Sequence, residues 1–105
     1  MAIPNPNFFD RLGKAQKRNK SLLCLGLDPE PSKLPDIFKK RNAADVARFN
    51  KAILESCGDL ICAVKPNWAF YEAMGIDGLK ALEKTLEAVP SGIPIIADAK
   101  RGDIG

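Results

Sequence analysis

Three short apolar runs, "LLCLGL" from Leu22, "LICAV" from Leu60 and "IPIIA" from Ile93, each stop at a charged residue. Runs of this length are too short for core helices. They also lack the apolar/polar alternation of a strand with one wet face, so they predict strands buried on both faces. The intervening stretches have a helical period instead. In "NAADVARFNKAILESCG", Ala44, Val46, Ala47, Phe49, Ile53 and Leu54 recur at helical spacing, and Gly58 supplies a stop. "WAFYEAMG" reads as a turn or two of helix ended by Gly75. "IDGLKALEKTLEAVPSG" predicts an amphipathic helix with Ile76, Leu79, Leu82, Leu86 and Val89 on one side. A leading helix is expected after a cap at Asn7, with Phe8, Leu12 and Ala15 on its apolar face. The first strand falls within Ser21–Pro31, the second over Leu60–Val64 ended by Lys65 and Pro66, and the third in the closing segment. Strands alternating with helices give the βαβ pattern, a parallel sheet with right-handed crossovers, and an α/β fold class.

The charges at the strand ends carry the functional signal. Asp28, Lys65 and Asp98 each close an apolar run. In a parallel sheet these carboxyl ends share one edge, where open α/β sheets and barrels place their ligands. Any one of them has a bland explanation, since strands must end in polar residues somewhere; three at one rim is harder to dismiss. Side chains repeat every two residues along a strand, so Asp98 and Lys100 project to one face and Ala99 to the other. Gly102 permits a tight turn that brings Asp103 back toward them. With Lys65 on the adjacent strand the cluster becomes an alternating Lys-Asp-Lys-Asp array. Each ammonium then favours the charged form of its carboxylate neighbours, and the reverse. A lysine so held is an acid aimed at whatever negative charge develops beside it. The competing reading is a surface tangle of salt bridges, worth about 0 to 1 kcal/mol per pair.

Composition narrows the classes of function. The 105-residue chain suffices for one domain of ordinary size, and its formal charge of +3 singles out neither nucleic acid nor an anionic membrane. Arg11, Lys14, Lys17, Arg18 and Lys20 cluster on the leading helix, but without interleaved aromatics they read as a solvated face. No apolar stretch approaches the roughly 18 residues of a membrane span. The N-terminus lacks the basic start and apolar run of a signal peptide, which predicts a cytoplasmic protein and leaves the sequon at Asn19 without meaning. Cys24, Cys57 and Cys62, without C-x-x-C spacing, are expected to be buried free thiols. The absence of histidine removes Ser/His and Cys/His nucleophilic sites and His-based zinc sites.

"DAKRGDIG" resembles the D-x-K-x-x-D-I signature of the orotidine 5′-phosphate decarboxylase family. "LCLGLDPEP" resembles the first-strand segment of its longer bacterial form. "AVKPNWAFYEAMG" resembles the second, with its K-P-x-x-A-F-x-E-x-x-G pattern. The resemblance runs from about Phe8 to Gly105 and implies a set of roles. Lys100 would protonate C6 of the pyrimidine as carbon dioxide leaves, and Asp98 would face the substrate carboxylate. Asp103 would complete the array in the partner subunit's site, so a homodimer is implied. Lys65 would bridge the ribose and Asp98, and Asp28 would hold a ribose hydroxyl. No cofactor or metal is implied, and no nucleic-acid or membrane partner. Sugar-phosphate enzymes of the same superfamily share the D-x-K-x-x-D motif but resemble one another in using magnesium, with an acidic ligand at the second strand end. Lys65 stands there in this chain, and a cation is a poor neighbour for a divalent metal.

The fold implied is a (β/α)₈ barrel, which takes about 250 residues. Residues 1–105 therefore read as a single partial domain, the N-terminal part of such a barrel with about three parallel strands. The phosphate site of such barrels lies after later strands. The expectation is a chain marginally folded and inactive by itself. The alternative of a different class is a non-catalytic αβ module that binds a nucleotide or pairs with another subunit.

Overall fold

In the computed structural model, which describes residues 7–102, the elements follow in the order α1 (Phe8–Asn19), β1 (Cys24–Leu27), α2 (Ala43–Cys57), β2 (Ala63–Pro66), α3 (Trp68–Glu72) and α4 (Gly75–Glu87). A single 3₁₀ turn at Pro31–Lys33 interrupts the long β1–α2 connection. Helix starts follow from their caps. Asn7 Oδ1 accepts from the Asp10 amide at 2.8 Å, and Asn42 Oδ1 accepts from the Asp45 amide at 2.9 Å. Asp45 also accepts from the Arg41 amide at 2.7 Å, so the buried carboxylate closes the helix entrance from both sides.

β1 and β2 are parallel, with Cys24 opposite Ala63 and Leu27 opposite Pro66. The third apolar run joins the far side of β2 through two parallel bridges, Val64 with Ile95 and Asn67 with Asp98. It runs parallel as expected but does not form an extended ladder: Val64 bonds Pro94 and Ile96, and Pro66, which has no amide hydrogen, interrupts the run before Asp98.

Two apolar clusters hold the layers together. Ala15, Leu27, Leu54, Ile61, Cys62, Ala63, Val64 and Ile93 join the strands to α1 and α2. Leu34, Val46, Tyr71 and Leu82 form a second cluster with Phe38, Phe49 and Trp68 around them. At the second cluster the core is polar as well. The amide of Asn50 donates to the Tyr71 hydroxyl and to Thr85 Oγ1, both at 3.0 Å, and the Tyr71 hydroxyl donates to the Leu27 carbonyl at 2.9 Å. This satisfied network links α2, α3 and α4 to the end of β1.

Several sequence expectations are corrected. β2 is Ala63–Pro66 rather than Leu60–Val64, and Leu60 is exposed. Lys65 and Pro66 belong to the strand: they lie opposite Gly26 and Leu27, and the Pro66 carbonyl still accepts from the Asp98 amide. On α4 the buried residues are Gly78, Ala81, Leu82 and Thr85, while Ile76 and Leu79 are exposed. Close contact with α2 and α3 selects small residues there, which an apolar count overlooks. Ala44 is exposed on α2. β1 is not buried on both faces, since Cys24 and Gly26 lie open. Cys24 is thus an exposed thiol, Cys57 is half-buried, and Cys62 alone of the three is buried.

Candidate active site at the carboxyl ends of the strands

Where the ladder ends, side chains take over its hydrogen bonds. The Pro66 carbonyl faces the third run, and the next amide, that of Asn67, turns to the β1 side and donates to Asp28 Oδ1 at 3.0 Å. Asn67 Oδ1 in turn accepts from the Ala69 amide at 3.1 Å and caps α3. On the other side of β2, Asp98 is fixed at both backbone polar groups. Its amide donates to the Pro66 carbonyl at 3.2 Å, and its carbonyl accepts from the Trp68 amide at 3.0 Å.

The side chain of Asp98 then meets two lysines. Lys65 Nζ donates to its Oδ2 at 2.9 Å, and Lys100 Nζ stands 4.0 Å from its Oδ1. The hydrogen bond to Asp98 holds the Lys65 ammonium above the ordinary lysine range against a partial desolvation that opposes it, and the charge of Asp28 adds to the rise. The same hydrogen bond holds the Asp98 carboxyl below the ordinary carboxylate range, with Lys100 contributing. Lys65 and Asp98 are thus fixed as ions. Lys100 is beyond hydrogen-bond distance of Asp98 and 91% exposed, so it adds a positive charge beside the carboxylate without being bonded to it.

Of the five residues expected at the rim, the structure brings together Lys65, Asp98 and Lys100. Asp28 lies one strand away against the Asn67 amide. Asp103 lies outside the described residues. The strand-end pattern overlooks Asn67, whose amide anchors Asp28 and whose side chain caps α3, and Glu72, which pairs with Arg101. It also overlooks Asn50. The signal for Asn50 was present, as a polar residue midway between Val46 and Leu54 on an apolar stripe of period four.

The family model described as orotidine 5′-phosphate decarboxylase / HUMPS matches residues 21–105. The chain belongs to that family. It is 50% identical over 98 residues to the orotidine 5′-phosphate decarboxylase of Herpetosiphon aurantiacus, covering 93% of this chain and 36% of that protein. To the orotidine 5′-phosphate decarboxylase of Roseiflexus castenholzii it is 52% identical over 99 residues, covering 94% of this chain and 36% of that one. Among solved structures, Leishmania donovani OMP decarboxylase superposes with a TM-score of 0.76 at 39% identity, over 95% of this chain and 36% of that chain. Leishmania donovani UMP synthase superposes with a TM-score of 0.79 at 42% identity, over 95% of this chain and 20% of that chain. The described residues accordingly take the fold of part of an α/β barrel of the decarboxylase family. The chain spans about a third of the length of the curated relatives it matches. Among the described residues no helix is long and apolar enough to cross a membrane.

Proposed function

We propose that this chain supplies the acid–base edge of an enzyme that decarboxylates orotidine 5′-phosphate to uridine 5′-phosphate. One observation carries the reading: a single carboxylate, Asp98, lies between two ammonium groups drawn from two neighbouring strand ends. In the proposed reaction the bond from C6 to the carboxylate breaks, carbon dioxide departs, and the electron pair stays on C6. The Lys100 ammonium lies beside that carbon, stabilises the charge as it forms, and gives C6 a proton. The neutral lysine then regains a proton from water. Asp98 faces the substrate carboxylate and keeps Lys65 charged. Lys65 spans Asp98 and the ribose, and Asp28 takes a ribose hydroxyl. Asp103 completes the array across a homodimer, and the reaction belongs in the cytoplasm, with no nucleic-acid or membrane partner. No cofactor enters this reaction. Lys65, seated on Asp98, also speaks against a magnesium-dependent sugar-phosphate reaction, because its ammonium lies where a divalent cation would have to approach.

The test joins residues 1–105 to the part of the Herpetosiphon aurantiacus relative beyond its matched segment, and assays orotidine 5′-phosphate. The expected result is carbon dioxide release by the hybrid and a loss of about 10⁴-fold in its Lys100→Ala variant. A hybrid that melts cooperatively and binds uridine 5′-phosphate without turnover overturns the reading in favour of a binding module. So does a Lys100→Ala hybrid that keeps its rate.

A further inference from the structure

Arg101 follows Lys100 directly, and its guanidinium does two things. Nη2 donates to Glu72 Oε2 at 2.5 Å, and Nη1 donates to the backbone carbonyl of Lys100 at 3.2 Å. Glu72 is the last residue of α3. The first residue of the same helix, Trp68, gives its amide to the Asp98 carbonyl at 3.0 Å. The segment from Asp98 to Arg101 is therefore attached to one short helix at both of its ends. That helix is itself set by the Asn67 cap and by the buried Tyr71, whose hydroxyl reaches the Leu27 carbonyl.

From this arrangement we infer that Glu72 and Arg101 form a clasp that positions Lys100. The clasp fixes the backbone from which the Lys100 side chain departs, and so sets its 4.0 Å approach to Asp98. The argument is geometric rather than energetic, because an exposed ion pair contributes little to stability. A planar guanidinium can hold a carboxylate and a carbonyl at once with fixed angles, whereas a lysine ammonium at position 101 acts as a point charge on a flexible stem. The Arg101 amide donates to the Ala99 carbonyl at 3.0 Å, a tight turn centred on Lys100, and the Arg101 side chain leaves it toward Glu72 on α3, so the clasp grips without a bond to the ammonium. Neither residue touches Asp98 or Lys65 by hydrogen bond. Both are positioning residues that act through the Lys100 backbone, and their part in turnover rests on the decarboxylase reading above.

Two measurements test the clasp. The first is ¹⁵N relaxation on the hybrid described above, its Glu72→Gln variant and its Arg101→Lys variant. Order parameters for Ala99 to Arg101 are expected near the rigid value of about 0.85 in the parent and below about 0.6 in both variants, with α2 unchanged. A segment as mobile in the parent as in the variants overturns the inference, as does a segment equally rigid in all three. The second uses the hybrid enzyme, where Glu72→Gln is expected to lower kcat about 10-fold and leave KM for orotidine 5′-phosphate within about twofold. An active hybrid whose kcat is unmoved by Glu72→Gln overturns the clasp alone. A folded but inactive parent hybrid overturns the decarboxylase reading, and the relaxation result then decides the clasp.

Discussion

A Cβ placed on Gly78 would stand 1.9 Å from the carbonyl oxygen of Tyr71. α4 therefore crosses the end of α3 in direct backbone contact, and position 78 admits no side chain without moving one helix. Gly75 is different: its φ of +72° is left-handed, but its Cβ would meet open space. Gly78→Ala is expected to cost about 2 to 3 kcal/mol through overpacking, and Gly75→Ala about 1 kcal/mol through backbone strain. Urea midpoints at constant slope give the comparison, and the reverse order would contradict the contact described.

Tyr71 is the sole tyrosine, so its ionisation can be followed without ambiguity by near-ultraviolet absorbance. Burial pushes its hydroxyl up to about 12, with the Asn50 hydrogen bond pulling the other way. A folded-state value raised above the unfolded one contributes stability that is complete below the unfolded pKa. That contribution declines as the pH climbs from about 10 toward about 12, where the unfolded chain alone loses the proton. Tyrosinate should appear near pH 10 in strong denaturant and well above it in the folded chain. One shared midpoint would show that the hydroxyl is not enclosed.

Tyr71→Phe leaves the Leu27 carbonyl without its donor and the Asn50 amide without one acceptor. A loss of about 1 to 3 kcal/mol is expected, the cost of unsatisfied buried groups. Chemical denaturation measures it, and a variant as stable as the parent would mean that water replaces the hydroxyl.

Asp98 and Lys65 hold each other charged, and the signs define the pH window. The lowered carboxyl adds stability above the ordinary carboxylate range and gives it up as pH falls through the Asp98 value. The raised ammonium adds stability below the ordinary lysine range and gives it up as pH rises through the Lys65 value. The pair is thus insensitive to pH near neutrality. Lys65→Met should return the Asp98 carboxyl upward, and by more than Lys100→Met does, since the Lys65 hydrogen bond is the leading cause of its depression. Carboxyl ¹³C titration checks the ranking.

The thiols should separate by access. Cys24 is exposed, yet partial burial of its sulfur and the nearby Cys62 raise its pKa, while Lys65 lowers it. Iodoacetamide should modify Cys24 well before the buried Cys62, at a rate that climbs as pH passes the ordinary thiol range. Lys65→Met should slow that reaction further. Peptide mass mapping over time gives the order, and equal labelling of both cysteines would contradict the burial of Cys62.

The α/β class, the cap at Asn7 and the gathering of charges at neighbouring strand ends follow from local patterns. Apolar continuity, cap chemistry and the charge that closes each apolar run are short-range properties, and a sequence displays them openly. The two-residue strand repeat does not extend past Asp98, because the Arg101 amide turns back to the Ala99 carbonyl. The bounds of β2 differ from the expected ones because Lys65 and Pro66 look like terminators, although the strand runs through both. The buried face of α4 was misjudged because Gly78 and Thr85 are chosen by the closeness of neighbouring helices, which is a tertiary fact. The clasp of Glu72 and Arg101 joins residues 29 positions apart, and nothing in either local context announces it.

The contact of Asp28 with the amide of Asn67, rather than with a side chain, has a consequence for how this edge tolerates change. With respect to Asp28, any residue except proline at position 67 offers the same donor at the same place. Substitutions there alter the start of α3 while leaving the carboxylate's anchor intact. The sequence can drift at that position without disturbing the Asp28 end of the rim, so a contact that matters need leave no mark on which amino acid is found there.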